Sequence, residues 1–142
     1  MTNQRMREVT SITSEAIEKL HKQLETCPDE NDKLEDPEGL NVPLMVHQRQ
    51  ALAWLVWRER QQPAGGILAD DMGLGKTLTM ISLVMKQKEI KEEGTDEDKQ
   101  VWLSRDKQLE KLSKSLVKSR ASLVICPASL IHQWKSEIER RV

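Results

Sequence analysis

At 142 residues the chain has the length of one ordinary domain. Hydrophobic residues make up 37% and charged residues 32%, which points to one real core flanked by solvated, charge-rich segments. A formal net charge of −1 excludes binding of nucleic acid through bulk positive charge, so any such contact has to be local.

Residues 1–43 are polar and read as a peripheral segment. Ala16, Ile17, Leu20 and Leu24 recur at helical spacing behind Ser14 and Glu15, which predicts one amphipathic helix. From Cys27 to Pro43 the chain holds Pro28, Pro37, Gly39 and Pro43 among acidic residues and reads as a linker. The compact part is expected to begin near Leu44. No breaker interrupts Val46 to Gln61, and Ala51, Leu52, Trp54, Leu55 and Val56 form a broad apolar face, so this stretch is a helix. Gly66 to Ala69 is a short apolar run that fits a buried strand of a parallel sheet. After a glycine-bearing turn from Asp70 to Gly75, helical spacing resumes through Leu78, Ile81, Leu83, Val84 and Met85. Residues 86–120 are dominated by Lys, Glu and Asp. Gly94 to Asp98 reads as a solvated loop there, and Leu109, Leu112 and Leu116 mark a further helix. Ala121 to Cys126 is the most strand-like run. Pro127 ends it, and Ser129 can cap a helix carrying Leu130, Ile131, Trp134 and Ile138. Strand, glycine loop, helix and second strand make a βαβ-type α/β unit with a charged insertion, at 86–120, in its crossover.

Cys27 and Cys126 lie far apart, and His21, His47 and His132 show no metal-ligand spacing with them, so no zinc site is expected in this segment. No signal peptide and no long apolar run is present, which fits a reduced intracellular setting and gives no reason to expect a membrane.

The chemistry sits in Asp70-Asp71-Met72-Gly73-Leu74-Gly75-Lys76-Thr77. Glycines let a backbone turn tightly and approach a polyphosphate without a Cβ clash. A helix starting near Gly75 aims unpaired N–H groups and the positive end of its dipole at the same anion. The Lys76 ammonium is placed to reach the β- and γ-phosphates of ATP, and the Thr77 hydroxyl to ligate Mg²⁺. The general P-loop pattern wants a glycine four residues before the Gly-Lys-Thr triplet, and that position is Asp70. A turn followed by a helix cap would be the bland alternative; the position between an apolar run and an apolar helix argues against it.

These residues resemble a known family. Leu68 to Thr77 resembles the first helicase motif of the Swi/Snf branch of superfamily-two DNA-dependent ATPases, a branch in which Asp takes the place of the first P-loop glycine. Upstream, His47-Gln48 with Ala51-Leu52, Trp54 and Arg58-Glu59 is similar to the branch's glutamine motif. Downstream, Leu123 to Leu130 with Gln133-Trp134 looks like its motif Ia. Asp71, where many relatives carry Glu, points with the histidine-glutamine pair to the lodestar subgroup of termination factors and RING-bearing repair remodellers. The resemblance covers Leu44 to Val142. It implies an incomplete recombinase-like lobe with a parallel sheet over 44–142, behind a mostly helical or irregular segment over 1–43. It also implies ATP and Mg²⁺ as cofactors, with Lys76 as catalytic residue and Gln48 together with Asp70, Asp71, Met72, Gly73, Leu74, Gly75, Lys76 and Thr77 around the nucleotide. Gln48 would read the adenine edge, since an amide offers a donor and an acceptor. Pro127 and Ser129 would face the backbone of double-stranded DNA. The implied setting is nuclear, with transcription termination and the RNA polymerase II elongation complex as the displaced partner. Trp54 and Trp134 read as helix-packing residues rather than base-stacking platforms.

The family's Asp-Glu motif, its arginine finger and its second lobe are not found before Val142, so the chain alone is expected not to turn over ATP, whether it is a fragment or a truncated isoform. Two alternatives stay open at this point: a non-catalytic nucleotide-binding module, and a repair-type remodeller of the same subgroup.

Overall fold

A computed structural model describes the backbone of residues 13–15, 17–19, 21–112, 119 and 121–142, and the side chains of all of these but 102, 105, 106 and 108–112. Residues 13–15, 17–19 and 21–24 are helical and form α1; Ala16 and Leu20 of the expected apolar stripe lie outside the described residues.

Two helices make the core. α2 spans Val46–Arg60 and buries Gln48, Leu52, Ala53, Leu55 and Val56 along one face. Those positions repeat at the spacing of one helical stripe, which is why the run folds as a helix against a neighbour rather than alone. Arg58 and Arg60 stand in its last turn, where a cation suits the carbonyl end of the dipole. α3 spans Lys76–Glu93 and starts from Gly75. It stops at Gly94, whose N–H donates to the Ile90 carbonyl at 2.9 Å. The expected helix is thus extended to Glu93, and the first residues of the charged stretch belong to it. α2 packs against α3. Leu44, Leu52, Leu55, Val56 and Leu83 are the buried cluster, with Leu34, Leu40, Trp54, Leu68, Leu78, Met80 and Ile90 packed around it. Each fully buried Leu contributes about 1.5–3 kcal/mol. Trp54 reaches over Gly66, where an added Cβ would lie 2.6 Å from its Cη2 atom, so the entry to the glycine loop passes close beneath the ring.

The loop expected from Gly94 to Asp98 is corrected. Only Gly94 and Thr95 break the chain, and α4 runs from Asp96 to Leu112. The Asp98 N–H donates to Thr95 Oγ1 at 3.3 Å, while the Thr95 N–H donates to Asp98 Oδ2 at 3.1 Å. This reciprocal cap satisfies two donors that a helix start leaves bare. Arg60 pairs with Asp98 at 2.7 Å and ties α4 to the end of α2. Of the three leucines that marked this helix, Leu116 lies outside the described residues.

Ser129 is likewise corrected as a cap. The backbone already turns in a 3-10 helix at Ala128–Leu130, closed by Leu130 N–H on the Pro127 carbonyl at 2.9 Å. α5, Ile131–Arg141, then starts from Leu130 with no side-chain cap bond. α5 packs beside α3, and the Asn41 N–H donates to the Arg141 carbonyl at 2.7 Å.

The stretch read as a linker is a strap. Pro37 and Leu44 are buried, and Leu34 and Leu40 lie against the core. Asp36 grips Arg49 through two bonds of 2.8 and 2.9 Å, and the Leu34 N–H donates to the Arg49 carbonyl at 3.3 Å. Proline, glycine and acidic residues match linker composition, but Asp36 and the Glu38 N–H find partners on α2 and α3.

Among the described residues there is no strand. Residues 66–69 and 121–126 run outside regular structure, with Ile67, Leu123 and Ile125 exposed.

Candidate functional site

Gly73 and Gly75 hold φ angles of 87° and 79°, in the left-handed region where a side chain is strained. Around Gly73 an added Cβ would meet nothing within 4 Å, so conformation alone demands glycine there. At Gly75 it would collide with Gln48 Nε2 as well. The turn puts the start of α3 directly behind the loop. The Thr79 N–H is bonded to the Gly75 carbonyl at 3.1 Å, so the N–H groups ahead of it face out of the helix end.

Lys76 folds back across the loop. Its ammonium donates to the carbonyls of Asp70 at 2.6 Å and Asp71 at 2.8 Å. Among the described residues its partners are neutral carbonyl oxygens, and such a cation beside an open helix N-terminus is a donor set that suits a polyphosphate. Thr77 stands in the first turn of α3, half-buried, while Asp71, Met72 and Leu74 are exposed and Asp70 is half-buried.

Gln48 is 1% exposed and spans α2 and the loop. Its Oε1 accepts the Met45 N–H at 2.9 Å, and its Nε2 donates toward the carbonyls of Gly75 at 3.3 Å and Leu74 at 3.5 Å. The donor and acceptor ends are therefore assigned by their neighbours. Contact with an adenine edge would require the amide to leave these bonds. His47 Nε2 lies 3.1 Å from the Leu74 carbonyl, a second tie from the same helix turn. Sequence reasoning gave His47 no role, although its place beside Gln48 was the available signal. Gln48 falls on the same stripe as Leu52, Leu55 and Val56, and a polar residue on a core-facing stripe is itself such a signal. Pro127 and Ser129 are exposed at the turn into α5.

Arg49, next to Gln48, holds the Asp36 carboxyl below the usual carboxylate range, chiefly through its side-chain hydrogen bonds. The Leu44 N–H, 3.3 Å from Asp36 Oδ2, acts in the same direction. A lowered carboxylate contributes stability that is present above its unfolded pKa and is lost as the pH falls through the folded value. The urea midpoint of the wild-type chain is therefore expected to fall on acidification through and below the ordinary carboxylate range, with a smaller drop in Asp36→Asn. Identical pH profiles for the two chains would show that the pair does not act this way.

Residues 47–142 match the family model described as SNF2-related domain. The chain is 49% identical to Transcription termination factor 2 of Drosophila melanogaster, over 93% of this chain and 13% of that protein. It is 34% identical to the ATP-dependent helicase ULS1 of Saccharomyces cerevisiae, over 75% of this chain and 5% of that one. It is also 39% identical to the Helicase-like transcription factor of Oryctolagus cuniculus, over 40% of this chain and 8% of that one. The chain thus spans a small part of the length of these relatives. No solved structure gives a significant match. The family match starts at the Gln48 helix turn, takes in the glycine loop and runs to the last residue, and on that extent the chain belongs to the SNF2-related domain family.

Proposed function

We propose that this chain is the ATP-binding part of a DNA-dependent ATPase of the Swi/Snf type, which moves on double-stranded DNA and displaces bound protein such as RNA polymerase II. The observation that carries the reading is the loop itself. Glycines with positive φ, the open end of α3 and the Lys76 ammonium converge on one place, and Gln48 and His47 fix the loop from behind. When ATP is bound with Mg²⁺, the pair supplies the phosphoryl group and the charge that neutralises it. Lys76 would turn from the carbonyls of Asp70 and Asp71 to phosphate oxygens, Thr77 would hold the metal ion, and Gln48 would be the residue to read the adenine edge, at the cost of its bonds to the loop. In the whole lobe, residues 66–69 and 121–126, which run outside regular structure in this chain, would be strands of one parallel sheet, and Pro127 and Ser129 would meet the DNA backbone. The names of the similar proteins, a termination factor and an ATP-dependent helicase, support the same activity and a nuclear setting.

By itself the chain is inactive, because phosphoryl transfer needs groups at the γ-phosphate that positioning by this loop does not provide. Steady-state hydrolysis separates the two levels. A full-length protein carrying this segment is expected to hydrolyse ATP faster when double-stranded DNA is added, and Lys76→Ala is expected to abolish this. The 142-residue chain is expected to show no turnover. Hydrolysis indifferent to DNA in the full-length protein, or DNA-stimulated turnover by the chain, would sink the reading.

A further inference from the structure

The strap ahead of α2 touches both helices that shape the nucleotide site. Asp36 binds Arg49 Nε at 2.8 Å and Nη2 at 2.9 Å, and its Oδ2 also accepts the Leu44 N–H at 3.3 Å. Two residues on, the Glu38 N–H donates to Glu89 Oε2 of α3 at 3.3 Å. Glu89 is itself fixed by Lys86, which is buried and 2.8 Å from Oε1. Asp36 therefore holds α2 while its neighbour holds α3. The grip on α2 is local to the amide that matters. Arg49 follows Gln48 directly, and the Leu44 N–H taken by Asp36 precedes the Met45 N–H taken by Gln48. A planar guanidinium in a two-bond fork fixes orientation as well as distance. The Gln48 amide, in turn, reaches the Gly75 carbonyl at 3.3 Å, near the limit for such a bond, so a small shift of the α2 turn would release it.

We propose that Asp36 is a positioning residue: it holds the first turn of α2 so that Gln48 stays bonded to the Leu74 and Gly75 carbonyls and the phosphate loop is kept in its binding shape. Asp36 lies ahead of the residues matched by the family model, which begin at His47. Its effect on nucleotide rests on the reading of the loop as a phosphate site, whereas its grip on Gln48 does not.

The test uses the 142-residue chain with a fluorescent ATP analogue and Mg²⁺, far below the unfolding midpoint of every variant. Asp36→Asn keeps the side-chain shape and removes the charge. It is expected to weaken the analogue about threefold to fivefold, the scale of a partly exposed charged pair. In a Gln48→Ala background the same substitution is expected to change affinity little, because the two act as one unit. A strap with a merely structural role would lower the melting temperature and leave affinity unchanged. Unchanged affinity in Asp36→Asn, or an equal loss in both backgrounds, overturns the proposal. Hydrogen exchange of the Gln48 carboxamide protons, followed by NMR without nucleotide, is a second readout. Slow exchange in the wild type and faster exchange in Asp36→Asn supports the grip; equal rates overturn it. If the wild type takes up no analogue, the phosphate-site reading fails, and the exchange rates still decide the role of Asp36.

Discussion

Gly75→Ala is expected to weaken nucleotide binding by more than about tenfold while the helices stay folded. The residue holds φ at 79°, where an L side chain costs about 1–3 kcal/mol. A Cβ there also strikes Gln48 Nε2, the atom that ties the loop to α2. Either the loop relaxes toward negative φ, which turns the start of α3 away, or Gln48 is pushed off its carbonyls. Both outcomes damage the same site, so affinity for ATP is expected to fall by more than about tenfold, equivalent to about 1.4 kcal/mol. Circular dichroism with a nucleotide titration checks it. Near wild-type affinity would mean that the loop tolerates a side chain and does not need this backbone shape. Gly73→Ala is the informative neighbour, since it carries the strained φ without the collision.

Leu52→Ala is expected to destabilise the chain by about 3 kcal/mol, within the usual span for a fully buried leucine cut to alanine. Leu52 is 0% exposed and sits, among the described residues, in a buried cluster of five. Domains carry about 5–15 kcal/mol in total, so this one change removes a large share. Urea unfolding measures it directly. A loss below about 1 kcal/mol would mean that the α2–α3 contact is not the main source of stability.

The helices were legible because their signals are local. Apolar residues at helical spacing and the absence of breakers fixed α2 within a residue of Arg60, and Gly75 ahead of Lys76 located the start of α3. The strap was not legible, because Asp36 and Arg49 are separated in sequence and nothing near Asp36 advertises a partner. Composition called that stretch a linker, and composition does not register long-range hydrogen bonds. The start of α4 was missed for a different reason. Gly94 broke the pattern, and the Thr95 and Asp98 cap behind it went unread although it was present in the sequence. In the candidate site, Lys76 and the two glycines stand out in the sequence because phosphate binding dictates their types and order, and the structure adds the positive φ of both glycines. The Lys76 bonds to the Asp70 and Asp71 carbonyls, and the turn of Gln48 into the protein, depend on geometry that no spacing carries.

The loop around Lys76 as a seat for the phosphates of ATP is the claim on which the rest depends. Calorimetric titration of ATP with Mg²⁺ into the wild-type chain and into Lys76→Ala tests it most directly. Lys76 is half-buried, and among the described residues its ammonium bonds backbone carbonyls, so the substitution should spare the fold. Saturable binding to the wild type, weakened at least about tenfold in the variant, is the expected result for loss of a charge-assisted phosphate contact. Equal affinities in the two chains, with both folded, would contradict it.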